Sequence, residues 1–246
     1  MKKWLALAAT AVLGASLLIS GCGSSTNNAS SSGSKEVLKV AANPVPHAEI
    51  LEQVKPILAK EGVDLQIVEF TDYIQPNMAL SSHEVDANFF ANVPYQNNFN
   101  RDHGTNFVSF APVHIEPLAI YSQKIKDLKD LPNGAKVAIP SDPTNSARAL
   151  LLLQSAGLVT LKDPTGLTNT PFDVTSNPKN IQIVELEAAQ IPRSIQDLDA
   201  AVINANYALP AGLNPTKDGL FVEKADSPYA NLLSVNPGDE NKPAIQ

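Results

Sequence analysis

Side chains able to do covalent or metal chemistry are scarce in this chain. One cysteine, Cys22, and four histidines, His47, His83, His103 and His114, make up the thiol and imidazole inventory. A lone thiol forms no internal disulfide, and the histidines are too dispersed to argue for a metal site. No G-x-S-x-G, H-E-x-x-H or phosphate-binding glycine loop is present, so nothing in the sequence supplies an activated nucleophile. What remains suits recognition. Arg148 carries a fork of donors matched to a carboxylate. Polar amides and tyrosines, among them Tyr73, Asn145, Asn204, Asn206 and Tyr207, recur directly after apolar runs.

Cys22 is explained by its position. The sixteen residues Trp4 to Ile19 are almost entirely apolar and follow Lys2 and Lys3, the build of a secretory signal peptide. As a helix they reach about 24 Å, short of the roughly 30 Å hydrocarbon core of a bilayer. The next residues, Ile19-Ser20-Gly21-Cys22, resemble a bacterial lipobox, in which cleavage precedes the cysteine and the thiol carries a lipid. Two or more acyl chains anchor stably where one binds only marginally. From Gly23 to Ser34 the chain is Gly, Ser, Thr, Asn and Ala, which cannot bury apolar surface and behaves as a tether. Cleavage removes two lysines, so the net charge of −7 becomes −9 over 225 residues, a surface that repels nucleic acid.

The elements that must position the polar residues follow from patterning. Short apolar runs read as strands: 37–42, 64–70, 106–113, 136–140, 181–187 and 200–204. Helix-period segments separate them, with Ile50, Leu51, Val54, Ile57 and Leu58 on one face of the first and 145–158 forming another. This alternation predicts an α/β protein with mostly parallel strands. In open α/β sheets ligands collect beyond the carboxyl ends of the strands, where Asn43 to His47, Thr71 to Tyr73, Ser141 to Arg148 and Asn204 to Tyr207 all lie.

With these motifs in view, the chain resembles the methionine-binding lipoproteins of bacterial ABC importers, the NlpA family. The resemblance runs from about Val37 to Val235 on PVPHAEILEQVKPILAKEG, EFTDYIQPN, DANFFANVPY, HIEPLAIYS, AIPSDPTNSARALLLLQ, DAAVINANYAL and DSPYANLL. It implies a two-lobed type II periplasmic-binding-protein fold with an interlobe ligand cleft. The expected organisation is a signal peptide over 1–21, a lipidated Cys22 and linker over 22–35, a first lobe over 36–115 with 208–246 returning to it, and a second lobe over 116–207. The implied function is capture of methionine and delivery to a membrane permease and its ATPase, by a monomer lipid-anchored on the extracytoplasmic face, with no cofactor and no catalysis.

Residue by residue, the resemblance gives Arg148 to the ligand carboxylate and Asn204 and Asn231 to its amino group. Tyr73, Phe89, Phe90 and Tyr95 form aromatic walls for a thioether, whose sulfur packs well at ring edges. Neighbours on an extended run face opposite sides, so one of the two phenylalanines belongs to the core. Asn92, His114 and Asn145 complete the expected site. Two departures stand out. Relatives commonly read Gln-His where this chain has Ala91-Asn92, which leaves the backbone clamp intact but opens the side-chain preference to another small amino acid or a methionine-containing dipeptide. Relatives also continue past the strand after Asn231 with a helix and closing segment, whereas this sequence stops in NPGDENKPAIQ, which reads as a fragment or a divergent form. The rival readings are an enzyme, which turnover of an ester or peptide panel would reveal, and a structural surface lipoprotein, which would show no ligand-induced thermal shift.

Overall fold

The computed structural model of the protein describes residues 35–225 and 227–246, so the signal segment, Cys22 and nearly all of the tether lie outside it. Along the chain run β1 (Glu36–Ala42), α1 (Glu49–Leu58), β2 (Val63–Glu69), α2 (Gln75–Ser81), β3 (Ala87–Asn92), α3 (Val93–His103), β4 (Val108–Ile115), β5 (Ala119–Tyr121), β6 (Lys136–Pro140), α4 (Pro143–Ser155), β7 (Thr160–Leu161), β8 (Val174–Ser176), β9 (Gln182–Leu186), α5 (Ile191–Ser194), β10 (Ala200–Ile203), α6 (Ala205–Ala208), α7 (Pro215–Asp218), β11 (Phe221–Val222) and β12 (Ala230–Val235). All six apolar runs are strands, with ends shifted by at most two residues. No described helix is long and apolar enough to cross a membrane.

Two five-stranded sheets organise these elements, in the orders β2-β1-β3-β12-β4 and β11-β5-β10-β6-β9. In each sheet four strands run one way and one opposes them, β12 in the first and β5 in the second. The reversed strand is the one the chain enters on arriving from the other sheet, because a segment that crosses over meets its new sheet from the shared edge of the two lobes. Residue 208 was the expected point of return to the first lobe. Instead Phe221 pairs with Ile120 on the second sheet, and the crossing comes between Val222 and Ala230.

Both sheets are covered on both faces, as parallel strands require. On one face of the first lie Leu38, Val40, Leu51, Leu65 and Phe89, and on the other Leu80, Phe90, Tyr95 and Phe99. The second sheet packs Leu150 and Leu153 of α4 against Ile120, Val137 and Val202, while Ile191 and Ile195 cover its far side. Truncating a fully buried leucine such as Leu150 would cost about 2 to 5 kcal/mol. The lobes touch through polar contacts, including Tyr73 Oη to Asn206 Oδ1 at 2.6 Å, Asn98 Nδ2 to Thr144 Oγ1 at 2.6 Å and Tyr207 Oη to the Thr71 carbonyl at 3.1 Å.

Candidate functional site

The carboxyl ends of β1, β3, β6 and β10 converge on one crevice between the lobes. Each delivers a polar residue by a local device. After β6, Asp142 caps α4 by accepting from the Asn145 N–H at 2.9 Å, which puts Asn145 and Arg148 on the first two turns of the helix. After β3, Asn92 caps α3 through the Tyr95 N–H at 3.0 Å, so Asn92 and Tyr95 face the crevice together. Asn204 follows β10, and Asn231 enters on β12 opposite His114.

Arg148 forms the electropositive end. It is 4% exposed. Its Nε donates to Glu223 Oε1 at 2.9 Å, and Nη2 donates to Glu223 Oε2 and to the Glu116 carbonyl at 2.8 Å. The Tyr229 ring lies 4.3 Å from the guanidinium carbon, a cation–π contact. Nη1 keeps no hydrogen-bond partner among the described residues, and the side chain lines the crevice.

Glu116 supplies the electronegative side. Its Oε1 accepts from His114 Nε2 at 2.8 Å and from Asn231 Nδ2 at 3.1 Å, and His47 Nε2 approaches it to 3.0 Å. Burial alone would raise this carboxyl, but contacts with the two imidazoles outweigh it and bring the group down to about 2. Oε2 has no side-chain partner among the described residues. Beside it, Asn204 gives its amide N–H to Asn145 Oδ1 at 2.8 Å, leaving a buried Oδ1 without a partner among the described residues. These oxygens call for a donor.

Tyr73, Phe90 and Tyr95 supply aromatic walls of the same crevice. Tyr73 stacks on Phe90 with centroids 6.0 Å apart, and the Tyr95 hydroxyl donates to the Tyr73 carbonyl at 2.7 Å. Burial pushes the Tyr73 and Tyr95 phenols upward, and nearby carboxylates add to the shift, so both stay neutral donors.

Of the residues singled out in the sequence, Tyr73, Phe90, Asn92, Tyr95, Asn145, Arg148, Asn204 and Asn231 line the crevice, whereas Phe89 and His114 do not. Phe89 faces the opposite side of the sheet, edge-on to His47 at 5.0 Å and His114 at 5.5 Å. His114 acts from behind Glu116. Glu116 lines the crevice without having been singled out, and His47 and Asn206, marked only by their places after apolar runs, line it too. Among the described residues, His47, His114 and Glu116 are the one cluster with metal-ligand spacing.

The sequence profile of the NlpA lipoprotein family matches residues 38–246. A relative from Salmonella typhimurium, the D-methionine-binding lipoprotein MetQ, is 44% identical over 98% of this chain and 88% of its own length. A nutrient binding protein from Burkholderia cenocepacia, solved bound to methionine, superposes with a TM-score of 0.82 at 47% identity, over 85% of this chain and 88% of that one. Lipoprotein Tp32 of Treponema pallidum superposes with a TM-score of 0.83 at 42% identity, over 86% and 88%. A profile match over most of the chain, on the same two-sheet architecture, leaves one conclusion: the chain belongs to the NlpA lipoprotein family.

Proposed function

We propose that the protein is the substrate-binding lipoprotein of an ABC importer, capturing methionine, in the L form and also the D form, for a membrane permease. The observation that carries this reading is that one crevice holds an arginine with a free donor, a carboxylate oxygen free of side-chain partners and a buried amide oxygen in need of a donor. Arg148 Nη1 receives the carboxylate, while Glu116 Oε2, Asn204 Oδ1 and Asn231 receive the ammonium. Tyr73, Phe90 and Tyr95 then meet the thioether. Salmonella MetQ, named for D-methionine, and the methionine-bound Burkholderia protein support the choice of ligand.

The mechanism is capture without bond making. Ligand joins groups from both lobes, so it stabilises the closed form by its differential affinity for it. A ceiling of about 1.5 kcal/mol per non-hydrogen atom allows roughly −13 kcal/mol for a ligand the size of methionine, so submicromolar binding needs no further contacts. A monomer held to the extracytoplasmic face by lipid on Cys22, with the tether to residue 35 as leash, would present the closed lobes to the permease and its ATPase. The Asn92 amide in the side-chain wall favours a second reading, in which a methionine dipeptide or another small amino acid competes. Mass spectrometry of ligand released from the soluble chain starting at Gly23 tests both: methionine is expected, and a ligand lacking an α-amino acid terminus would overturn the reading.

A further inference from the structure

We propose that His47, His114 and Glu116 form a divalent transition-metal site of the zinc type in the wall of the crevice, occupied in competition with the ligand's amino group. Two imidazoles and a carboxylate are the donor set of open, three-ligand zinc sites, whose fourth position is left for a small molecule. Their ligating atoms all lie within 4.8 Å of one another. Nε2 of His47 and of His114 stand 3.0 and 2.8 Å from the same Glu116 oxygen. Tetrahedral bonds of about 2.1 Å separate neighbouring ligand atoms by about 3.4 Å, so each imidazole need retreat only about half an ångström from the carboxylate oxygen to admit an ion between them.

The second observation is an unmet demand. His47 is 1% exposed and lines the crevice, yet neither of its ring nitrogens makes a hydrogen bond among the described residues, the approach to Glu116 being off-angle. Buried polar nitrogens in that state point to a missing partner. His114 lies near the end of β4 and Glu116 directly after it, with His114 Nε2 2.8 Å from the Glu116 oxygen. Phe89 packs edge-on against both imidazoles and fixes their planes. In the sequence the two histidines are far apart, and the first sheet brings them to one carboxylate.

A divalent ion on Glu116 would occupy the place proposed for the ligand ammonium and repel it, so the two should exclude each other. That competition rests on the methionine reading, while metal binding by the ligand-free protein does not. Calorimetric titration of ligand-free protein with ZnCl2, in a non-coordinating buffer, is expected to give one site of micromolar or tighter affinity. His114→Gln, which keeps a hydrogen-bonding side chain, should weaken zinc at least tenfold, as should His47→Gln, while His83→Gln and His103→Gln should leave zinc affinity unchanged. Saturating L-methionine should weaken zinc at least tenfold. No zinc binding below 1 mM, or zinc affinity indifferent to His114→Gln, overturns the site. Zinc affinity unchanged by bound methionine overturns the competition, and absence of methionine binding alongside intact zinc binding would fault the methionine reading instead. Should His47→Gln fail to fold, the partly exposed His114 carries the test.

Discussion

Arg148 and Glu223 are joined in a buried fork, Nε to Oε1 at 2.9 Å and Nη2 to Oε2, so the guanidinium reaches the crevice with its plane fixed. Side-chain exposures of 5% and 15% make this an interior pair. Glu223→Gln leaves the arginine charge buried and poorly matched, which should destabilise the protein by about 3 kcal/mol and lower Tm by roughly 6 to 12 °C. Calorimetric unfolding reads the shift, and a drop below 2 °C would show that the fork contributes little to the fold.

Asn92 serves two roles, capping α3 and facing the crevice. Asn92→His removes the cap, at about 1 kcal/mol, or a Tm loss of roughly 2 to 4 °C. It also places an imidazole where the family resemblance implies one, which should tighten L-methionine by roughly tenfold while weakening glutamine or glycyl-methionine. Titration with each ligand separates the effects. If none of the affinities moves, position 92 does not contact the ligand.

Glu116→Gln removes the charge proposed to hold the ammonium and should cost about 2 kcal/mol, roughly thirtyfold in methionine affinity. The same carboxyl carries a stability signature. Its folded value of about 2 lies below the ordinary 4.5, so its contribution is complete above pH 4.5 and is lost as the pH falls toward 2. Urea unfolding of wild type and Glu116→Gln should therefore show a gap that closes over that interval, and a gap constant down to pH 2 would refute the lowered value.

Cys22→Ser should leave the chain unlipidated and its precursor uncut by the lipoprotein peptidase. Globomycin-sensitive processing of that variant would contradict the lipobox reading.

The strands that the sequence left hidden share a physical cause. β3 carries Asn88 and Asn92 within ANFFAN, yet every residue in it is buried. Asn88 is accommodated by donating to Asn77 Oδ1 at 2.7 Å, a partner eleven residues away that no apolar pattern marks. β5 has only three residues and is defined by its neighbours β10 and β11. By contrast Leu38, Val40, Val137 and Ile139 announce their strands because both sheet faces need apolar cover. The site divides the same way. Arg148 and Asn204 could be read because Asn204 directly follows its strand and Arg148 lies in the first turns of the helix that follows β6. Glu116, ahead of Pro117 in the crossover, reads as a solvated acid until His47 and His114 converge on it.

Side-by-side calorimetric titration of L-methionine into ligand-free wild type and Arg148→Ala tests the capture mechanism most directly. The crevice predicts one submicromolar site in the wild type. It also predicts a loss of about 3 kcal/mol or more, at least a hundredfold, in the variant, because a desolvated carboxylate is left without its cation. A wild type that binds no methionine at millimolar concentration, or a variant within threefold of it, would contradict the assignment of Arg148 as the clamp and of the crevice as the methionine site.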